Sequence, residues 1–474
     1  MLYVIIAVLG LAAAGWLIIK RVHAATSLLL VGFVLLMLAA ALGRSGATTQ
    51  EIESSGNAFY DELLVIQALF QDRFAGTGMA IMVLFGFVAY MRSIGADAKT
   101  VVVLSRPLSR FHGSYWMVPI GFVLGTLLSL VVPSAAALSL LLIATLLPAL
   151  IAAGLTPLTV GAVIVTSSTI VPTPLEAGLI QGADLTGMSV SEFVFGHVAL
   201  ATVPALVVMA LTHMWWQWRC DRIDARKGEA AAGVAAPQGP AAGSASSIED
   251  ALERAKDLPA LYALLPLLPL LLIIVSALLN RFGVVGFEAE ILPVTLVSLV
   301  ISVLIEAVRH RDVRGSVEAG KAFFTGMGEG AAGVVALIVA AAVVVEAVNQ
   351  LGIITMLTDA TEGLHSGALI LVLVFVLSTT VLAVLTGSGV APYFAFSEAV
   401  PALAAGSGIL PARMLTAIWG ASNTMRQVSP VSAAVLIVAG AIKATPLQLV
   451  RRTSVPMVAG MMSNVLFAYL FIHA

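Results

Sequence analysis

The sequence predicts an all-α polytopic membrane protein with about ten spans, two re-entrant hairpins and two inverted repeats. Three observations predict this class. Apolar residues make up 60% of the chain and charged residues only 11%, whereas soluble domains carry about 25% charged residues. Stretches of roughly 18 to 25 apolar residues recur along nearly the whole chain, and each is long enough to cross a bilayer as a helix. Finally, the two halves of the chain resemble each other.

Eight apolar stretches predict simple transmembrane helices. They lie near 2–19, 24–43, 74–94, 193–214, 259–280, 288–307, 328–348 and 454–472. Two longer regions, 116–182 and 366–441, carry few charges and are rich in Gly, Pro, Ser and Thr. Each is too long for two simple spans, so we interpret each as a re-entrant hairpin followed by one broken helix. The predicted hairpins are 116–153 and 366–405, and the predicted broken helices are 160–182 and 411–441.

The basic residues orient these spans, because cytoplasmic loops carry an excess of Lys and Arg. With the spans above, 19 of the 24 Lys and Arg residues fall on one side of the membrane. Only Arg44, Arg73, Arg281 and Arg413 fall on the other side, and Arg426 lies within the membrane. The basic side is therefore the cytoplasm, and we expect both termini to face the periplasm or the cell exterior.

Several segments recur in the two halves at a nearly constant offset. The pair Gly76 and Gly333 and the pair Gly95 and Gly352 are each 257 residues apart within similar apolar stretches. The further matching pairs are 147–157 with 400–411, TSST at 166–169 with ASNT at 421–424, and Pro204 with Pro456. The predicted topology sends the first repeat inward where it sends the second outward. Inverted repeats are typical of secondary transporters; the alternative is a chance similarity of apolar helices.

Each half also contains two interruptions within apolar sequence. The hairpin turns are 131–137 and 385–392, and the helix breaks are 166–176 and 421–430. Unwound backbone is tolerated at membrane depth only where it is buried in protein or lines a wet cavity. Each break leaves a half-helix N-terminus that favours an anion and a half-helix C-terminus whose carbonyls suit a small cation. Arg426 adds a guanidinium that can hold a carboxylate through paired hydrogen bonds.

These polar residues also have structural interpretations. Ser and Thr in membrane helices often bond to their own backbone or to a neighbouring helix. Arg426 could be a structural clamp paired with Glu176 or Glu398, and Glu176 could be a proton or cation site or a helix-start carboxylate. No histidine pair has metal-ligand spacing, and the single cysteine, Cys220, leaves no cysteine cluster for a metal. The net charge of −2 suggests no nucleic-acid partner.

Three other functions are weighed against transport of an anion. An intramembrane enzyme would need a nucleophile and a base, yet no His, Lys or Cys lies in any of the four interruptions; we expect no enzyme. A passive channel has no need for inverted broken helices. An amino-acid exchanger would need an acid for the α-ammonium group, and Glu176 is the candidate in these loops.

Four motifs resemble the anaerobic C4-dicarboxylate carriers of the DcuC type, and the resemblance extends over essentially the whole chain. They are MAIMVLFGFVAYMRSIGA (79–96), SRPL (105–108), LTGSGVAPYFAFSEAVP (385–401) and ASNTMRQVSPVSAAVLIVAG followed by VRRTSVPMVAG (421–440 and 450–460). The resemblance implies the INDY-like fold of the ion-transporter superfamily, with a scaffold domain, a homodimer interface and a transport domain that moves as an elevator. It further implies succinate, fumarate or malate as substrate, Na⁺ or H⁺ as coupling ion, no other cofactor, and a bacterial inner membrane.

The resemblance also implies which residues touch the substrate. They are Ser134, Ser167, Ser168, Thr169, Thr173, Thr386, Gly387, Ser388, Gly389, Ser422, Asn423, Thr424, Arg426 and Ser429. The candidates for cation coupling are Ser134, Glu176, Ser388 and Asn423, with Na⁺ possible at the hairpin tips and helix breaks. The sequence departs from the expected pattern at Pro133, where a small residue is expected, and at Glu176, where aspartate is expected. The wider superfamily also contains carriers of basic amino acids.

These patterns divide the chain into five segments. Residues 1–73 are N-terminal scaffold spans with an extracellular segment, 74–214 the first repeat, 215–258 a cytoplasmic linker, 259–327 scaffold spans and 328–474 the second repeat. The linker contains an Ala/Gly/Ser/Pro tract at 228–248, a composition that predicts a flexible loop.

Overall fold

The computed structural model describes residues 2–44, 52–105, 115–227, 250–361 and 367–473. Throughout these ranges every regular element is helical, so the predicted all-α class is confirmed. Ten helical segments there are long and apolar enough to cross a membrane, which confirms the prediction of about ten spans. The set of membrane-spanning helices differs from the predicted set. The hairpin arms Ala135–Ala152 and Ala368–Thr386 are long enough to span, whereas Tyr3–Ile19 is among the shorter apolar helices.

The first half contains three helices, a hairpin, a broken helix and a long final helix. Its elements are α1 (Leu2–Ile19), α2 (Ala24–Ala41), α3 (Ala58–Arg73), a π-helical turn (Phe74–Gly78), α4 (Met79–Ser93), α5 (Ala96–Ser105), α6 (Met117–Ser129), α7 (Ala135–Ala152), α8 (Pro157–Thr166), α9 (Ala177–Thr186), a second π-helical turn (Glu192–Val198) and α10 (Ala199–Lys227). Helices α6 and α7 form the hairpin, and α8 and α9 are the two arms of the broken helix.

The second half repeats this order after a short helix at 250–256. Its elements are a 3₁₀ helix (Ala260–Leu267), α11 (Leu268–Arg281), α12 (Ile291–His310), α13 (Val313–Ala319), α14 (Lys321–Gly330), a π-helical turn (Ala331–Val335), α15 (Ala336–Gln350), α16 (Ile353–Thr361), α17 (Gly367–Thr386), α18 (Val390–Ser397), α19 (Val400–Ser407), α20 (Pro411–Met425), a 3₁₀ turn (Arg426–Val428), α21 (Ala433–Ala441) and α22 (Pro446–Phe471). Helices α17 to α19 form the hairpin, and α20 and α21 are the two arms of the broken helix.

Backbone details recur at the offset that the sequence predicts. The π-helical turns before α4 and α15 start 257 residues apart, and both helices contain 15 residues. After them, Gly95 and Gly352 adopt left-handed backbone angles, with φ of 75° and 78°. Because a π-helical turn is uncommon and local, its occurrence at corresponding places is a specific local similarity between the two halves.

The helices pack as two groups. In the first, which we call the α4/α15 group, α2, α3 and α15 pack together, and α4 packs on α12 and α14. In the second, the hairpin group, α6, α7, α8, α10, α17, α20, α21 and α22 pack on one another. Helices α8 from Thr159 to Thr166 and α20 from Met414 to Met425 are buried throughout. Both run directly into the helix breaks, which places the breaks in the interior.

Two boundaries differ from the sequence prediction. The last helix starts at Pro446, not at 454, because Thr445 and Gln448 form a capping box in front of it. Arg451 and Arg452 therefore lie inside a helix, where Asp224 and Asp221 pair with them. Helix α10 likewise continues to Lys227, so the start of the predicted linker at 215 is helical. The tract at 228–248 and the SRPL motif beyond Ser105 lie outside the described residues.

Candidate functional site

A cavity of about 140 Å³ lies between the two helix groups. This is roughly ten times the 10–15 Å³ that a single water needs. One wall is apolar and comes from α4, with Pro266 and Val334. The other wall is polar and comes from both helix breaks and the second hairpin. The polar, aromatic and glycine residues of that wall are Ser168, Thr169, Thr173, Glu176, Gly178, Gly389, Tyr393, Phe394, Trp419, Asn423 and Arg426. The first hairpin adds Ser129, Leu130, Val131 and Pro133 to the lining.

The first break spans 167–176, between α8 and α9, which is the predicted segment less its first residue. Ser167 is turned away from the cavity: its Oγ donates to the Val163 carbonyl at 2.8 Å. Ser168, Thr169 and Thr173 line the cavity. The hydroxyl of Thr169 is buried and has no hydrogen-bond partner among the described residues. This hydroxyl is therefore available to a ligand.

The second break starts later than predicted. Ser422, Asn423 and Thr424 lie in the last turns of α20, and the chain leaves helical structure only after Val428. Ser422 Oγ donates to the Gly389 carbonyl, and Thr424 Oγ1 donates to the Gly420 carbonyl at 2.7 Å, so both are structural. Asn423 Nδ2 donates to the Trp419 carbonyl at 3.2 Å, and its side chain lines the cavity.

Arg426 joins the two breaks. Its Nη2 donates to the Ser168 carbonyl at 2.9 Å and to the Ser168 Oγ at 3.0 Å. Its Nε is buried without a hydrogen-bond partner in the described part of the chain. The clamp that the sequence suggested therefore exists, but its partner is Ser168; Glu398 pairs with Arg73. A buried guanidinium N–H without an acceptor is costly, and a carboxylate in the cavity would relieve that cost.

The second hairpin contacts the second break directly. Gly387 has a left-handed φ of 71°, and a Cβ there would lie 2.8 Å from the Ser432 nitrogen, so only glycine fits. Gly389 lies against Asn423 and Arg426 and lines the cavity. Thr386 Oγ1 donates to the Leu382 carbonyl. The hairpin turn reaches the cavity at Gly389 and Val390.

Several predicted contact residues do not line the cavity. Ser134 is exposed and caps α7 by accepting from the Ala137 N–H, while its neighbour Pro133 reaches the cavity. Ser388 Oγ accepts from the Ala391 N–H within its own turn. Ser429 Oγ accepts from the Val431 N–H. The residues outside the lining are Ser134, Ser167, Thr386, Gly387, Ser388, Ser422, Thr424 and Ser429. Short hydroxyl side chains in these turns satisfy the local backbone instead.

Glu176 has one of the two roles that the sequence left open, that of a helix-start carboxylate. It precedes α9 and its Oε2 accepts from the Leu179 N–H at 2.8 Å, as a helix cap does. The same oxygen accepts from Trp419 Nε1 at 2.9 Å. Glu176 also lines the cavity, so its carboxylate faces the same space as Arg426 while it anchors the restarting helix.

Sequence reasoning missed two aromatic residues of the site, Trp419 and Tyr393. Tyr393 Oη donates to the Gly178 carbonyl at 2.9 Å, and Trp419 holds Glu176. Buried Trp and Tyr usually place their N–H or O–H on a partner. Their position in the sequence could have identified them, since each aromatic residue lies beside an interruption of apolar sequence.

The donor set suits an anion better than a metal ion. No group of three or more His, Cys, Asp or Glu that could hold a metal occurs in the ranges that the structure describes. The cavity instead offers a guanidinium, hydroxyls and an amide beside one carboxylate, which the Trp419 indole N–H already holds. Carboxylates are bound well by such donors, and hydroxyl and amide oxygens are also the ligands of small hard cations.

Comparison with known proteins is consistent with this chemistry. The family model DcuC, described as a C4-dicarboxylate anaerobic carrier, matches residues 1–473. A probable anaerobic C4-dicarboxylate transporter DcuC of Vibrio cholerae is 32% identical over 467 residues, which cover 98% of this chain and 97% of that protein. The anaerobic C4-dicarboxylate transporter DcuC of Escherichia coli strain K12 is 30% identical over 439 residues, with 93% and 90% covered.

One solved structure is similar in fold. It is that of Neisseria gonorrhoeae MtrF, whose title concerns a class of antimetabolite efflux pumps. The TM-score is 0.54 at 12% identity, with 94% of this chain and 96% of that chain covered. At this identity the similarity concerns the fold alone.

Proposed function

This chain belongs to the DcuC family of C4-dicarboxylate anaerobic carriers, a family of membrane transporters and not of enzymes, and from that premise we propose its substrate and mechanism. It is a secondary transporter of C4-dicarboxylates such as succinate, fumarate and malate. One observation carries the proposal. Arg426 Nε and Thr169 Oγ1 are both buried, both unpartnered among the described residues, and both belong to residues of the same cavity.

In the proposed complex, one carboxylate of the substrate accepts from Arg426 Nε and from the Thr169 hydroxyl. Asn423, Ser168 and Thr173 offer further donors around it. The apolar wall of α4 covers the carbon backbone of the substrate. Arg426 is held by Ser168 before the substrate arrives, so little side-chain entropy is lost on binding.

Charge balance supports coupling to a cation. A dianion beside Arg426 and an ionised Glu176 would leave two uncompensated negative charges in a buried cavity, and buried charge is costly unless it is neutralised. We propose that a proton on Glu176 or a Na⁺ among the cavity oxygens accompanies the substrate. The carrier works by symport, efflux or exchange, and the gradients across the membrane set the direction of net substrate flux.

The two helix groups support an elevator mechanism. The hairpin group contributes the polar wall and the α4/α15 group contributes the apolar wall. An apolar wall holds no specific polar contact to the substrate, so the hairpin group with its bound substrate can slide along it. In this mechanism the α4/α15 group is the scaffold, the chain forms a homodimer in the bacterial inner membrane, and the two repeats are inverted with both termini in the periplasm.

The decisive experiment is uptake of labelled succinate by purified protein in proteoliposomes, with Na⁺ and pH gradients imposed separately. We expect accumulation driven by at least one gradient, and competition by fumarate and malate. Uptake of labelled succinate that neither fumarate nor malate reduces would contradict the proposed substrate.

A second candidate is a basic amino-acid exchanger, favoured by one observation: the Glu176 carboxylate lines the cavity and could hold an α-ammonium group. In the same proteoliposomes, lysine and arginine would then compete with labelled substrate, whereas the leading proposal predicts no competition. Exchange of labelled lysine without any succinate uptake would favour this alternative.

A further inference from the structure

A charge cluster with one buried member, Glu398, joins the two helix groups at a distance from the cavity. Arg73, at the end of α3, donates from Nη2 to Glu398 Oε2 at 2.9 Å, and its Nη1 lies 3.6 Å from Asp184 Oδ2. Arg73 belongs to the α4/α15 group, because α3 packs on α2 and α15. Glu398 lies between α18 and α19, and Asp184 lies on α9. Helices α9, α18 and α19 all pack on α20 of the hairpin group, so we assign both acids to that group.

The Glu398 carboxylate is held in place by its own group. Its side chain is only 3% exposed, against 19% for Arg73. Gln181 Nε2 donates to its Oε1, and Ser397 Oγ donates in turn to Gln181 Oε1 at 2.9 Å. The hydrogen bonds that hold the Glu398 carboxylate therefore come from the hairpin group. The positive charge that neutralises this carboxylate comes from Arg73 of the α4/α15 group. Removing one partner of such a buried pair is strongly destabilising to the arrangement that contains it.

The ion pair and the cavity lie at different levels of the same interface. Arg73 immediately precedes the π-helical turn that leads into α4. The cavity contacts α4 at Leu84, Phe87 and Met91, about 16 to 27 Å further along the helix at 1.5 Å per residue. The Arg92 end of α4 is the end predicted to be cytoplasmic. The cavity therefore lies toward the predicted inner side, and the ion pair lies toward the predicted outer side.

We propose that Arg73 is a positioning residue of the transport cycle, whose ion pair with Glu398 and Asp184 holds the hairpin group in an inward-facing position. The inference depends on the proposed elevator mechanism. Because Arg73 and its acidic partners belong to different groups, any slide of the hairpin group by several ångströms breaks the pair. The pair closes the outer side of the interface while the site faces inward, and it opens in every cycle.

The test measures the distance between the two groups directly. Spin labels are placed at Val284→Cys, which is 67% exposed in the loop after α11, and at Ala405→Cys, which is exposed on α19. Cys220 is buried and does not compete for the label. Pulsed electron spin resonance is then recorded in lipid nanodiscs without substrate, with labelled protein diluted into unlabelled protein so that only distances within one chain contribute.

We expect the protein that carries only the two label sites to show mainly one distance between the labels, the one that corresponds to this structure. Arg73→Gln and Glu398→Gln should each raise the ratio of a second distance to the first by at least tenfold, and Arg73→Lys should restore much of the original distribution. In the double variant, Arg73→Gln with Glu398→Gln, the distance distribution should shift no further than in either single variant, since the two residues act as a pair. Asp72→Asn is the matched control: Asp72 also contacts Arg73 but is 68% exposed, so the distribution should not change.

Two outcomes overturn the inference. One is an unchanged distance distribution in both Arg73→Gln and Glu398→Gln, and the other is additive shifts in the double variant, which would indicate separate structural roles. A different result would show that the proposed substrate is wrong. If the distances shift as expected while proteoliposomes take up no C4-dicarboxylate, the substrate proposal fails and the ion-pair inference stands.

Discussion

At the residue scale, the site depends on a few side chains whose polar atoms the protein itself leaves unused. Most hydroxyls around the interruptions satisfy the local backbone, as Ser167 and Thr424 do. Arg426 and Thr169 differ, because each keeps one buried polar atom without a partner among the described residues. Buried polar groups are nearly always paired, so we propose that a ligand in the cavity pairs with these two atoms.

Arg426→Ala should reduce succinate transport by at least about thirtyfold. It removes the charge-assisted hydrogen bonds to the substrate and also the clamp to Ser168, a loss of about 2–5 kcal/mol for a buried charged partner. Arg426→Lys keeps the charge but not the forked donor geometry, so transport should be reduced less. The measurement is initial uptake rate in proteoliposomes at equal amounts of folded protein. Normal uptake by Arg426→Ala would contradict the assigned role.

If a proton on Glu176 is the coupling ion, Glu176→Gln should uncouple transport from a pH gradient. Glutamine can still cap α9 and accept from Trp419 Nε1, so the fold and passive exchange of internal for external succinate should persist. It cannot take up a proton, so accumulation driven by a pH gradient should be lost. Glu306→Gln is the control, since Glu306 is a buried carboxylate bonded to Tyr262 away from the cavity. Full pH-driven accumulation by Glu176→Gln would exclude Glu176 as the coupling group.

At the element scale, the interruptions position the site because half-helices and hairpin tips meet in the interior. The sequence predicted the first break well, since Pro172 and Pro174 cannot continue a helix. It placed the second break too early: Ser422 to Thr424 remain helical, because no proline or glycine follows until Pro430. Local chemistry therefore locates an interruption, but packing decides how far the preceding helix continues.

Gly389→Ala should impair transport without unfolding the protein. A Cβ at this position would lie 2.9 Å from both Asn423 Oδ1 and Arg426 Cδ, so the hairpin tip would be pushed away from the second break. We expect a loss of transport of about tenfold or more with a nearly unchanged melting temperature, because the clash is confined to the cavity wall. Gly440→Ala is the control, since nothing lies within 4 Å of a Cβ there. Equal uptake by the two variants would show that close approach at Gly389 is not required.

At the scale of the whole molecule, each helix group is assembled from both halves of the chain. Arg452 of α22 illustrates this: it is 2% exposed and pairs with Asp221 at 2.6 Å and with Asp224, both on α10. Thr156 and Thr159, at the start of α8, also donate to Asp221. Asp221 of α10 thereby joins Arg452 of α22 to the start of α8, so one charge cluster holds these three helices together.

Arg452→Met should lower the stability of the folded protein by about 3–5 kcal/mol, because Asp221 would remain buried without its charge partner. The measurement is thermal unfolding of the purified protein in detergent. Arg451→Gln is the matched control: Arg451 pairs with Asp224 at 3.2 Å but is 42% exposed, and exposed pairs contribute about 0–1 kcal/mol. Equal melting temperatures for the two variants would contradict a structural role for the buried cluster.

The amino-acid sequence alone predicted the all-α class, about ten membrane-spanning helices and the segments in which apolar sequence is interrupted. These follow from hydropathy and from proline and glycine, whose effects act within a few residues along the chain. Only the tertiary structure decided which side chains face the cavity. Arg426 meets Ser168 across 258 residues and Trp419 meets Glu176 across 243. Such contacts depend on how two groups of helices pack, and no local pattern of residues encodes that packing.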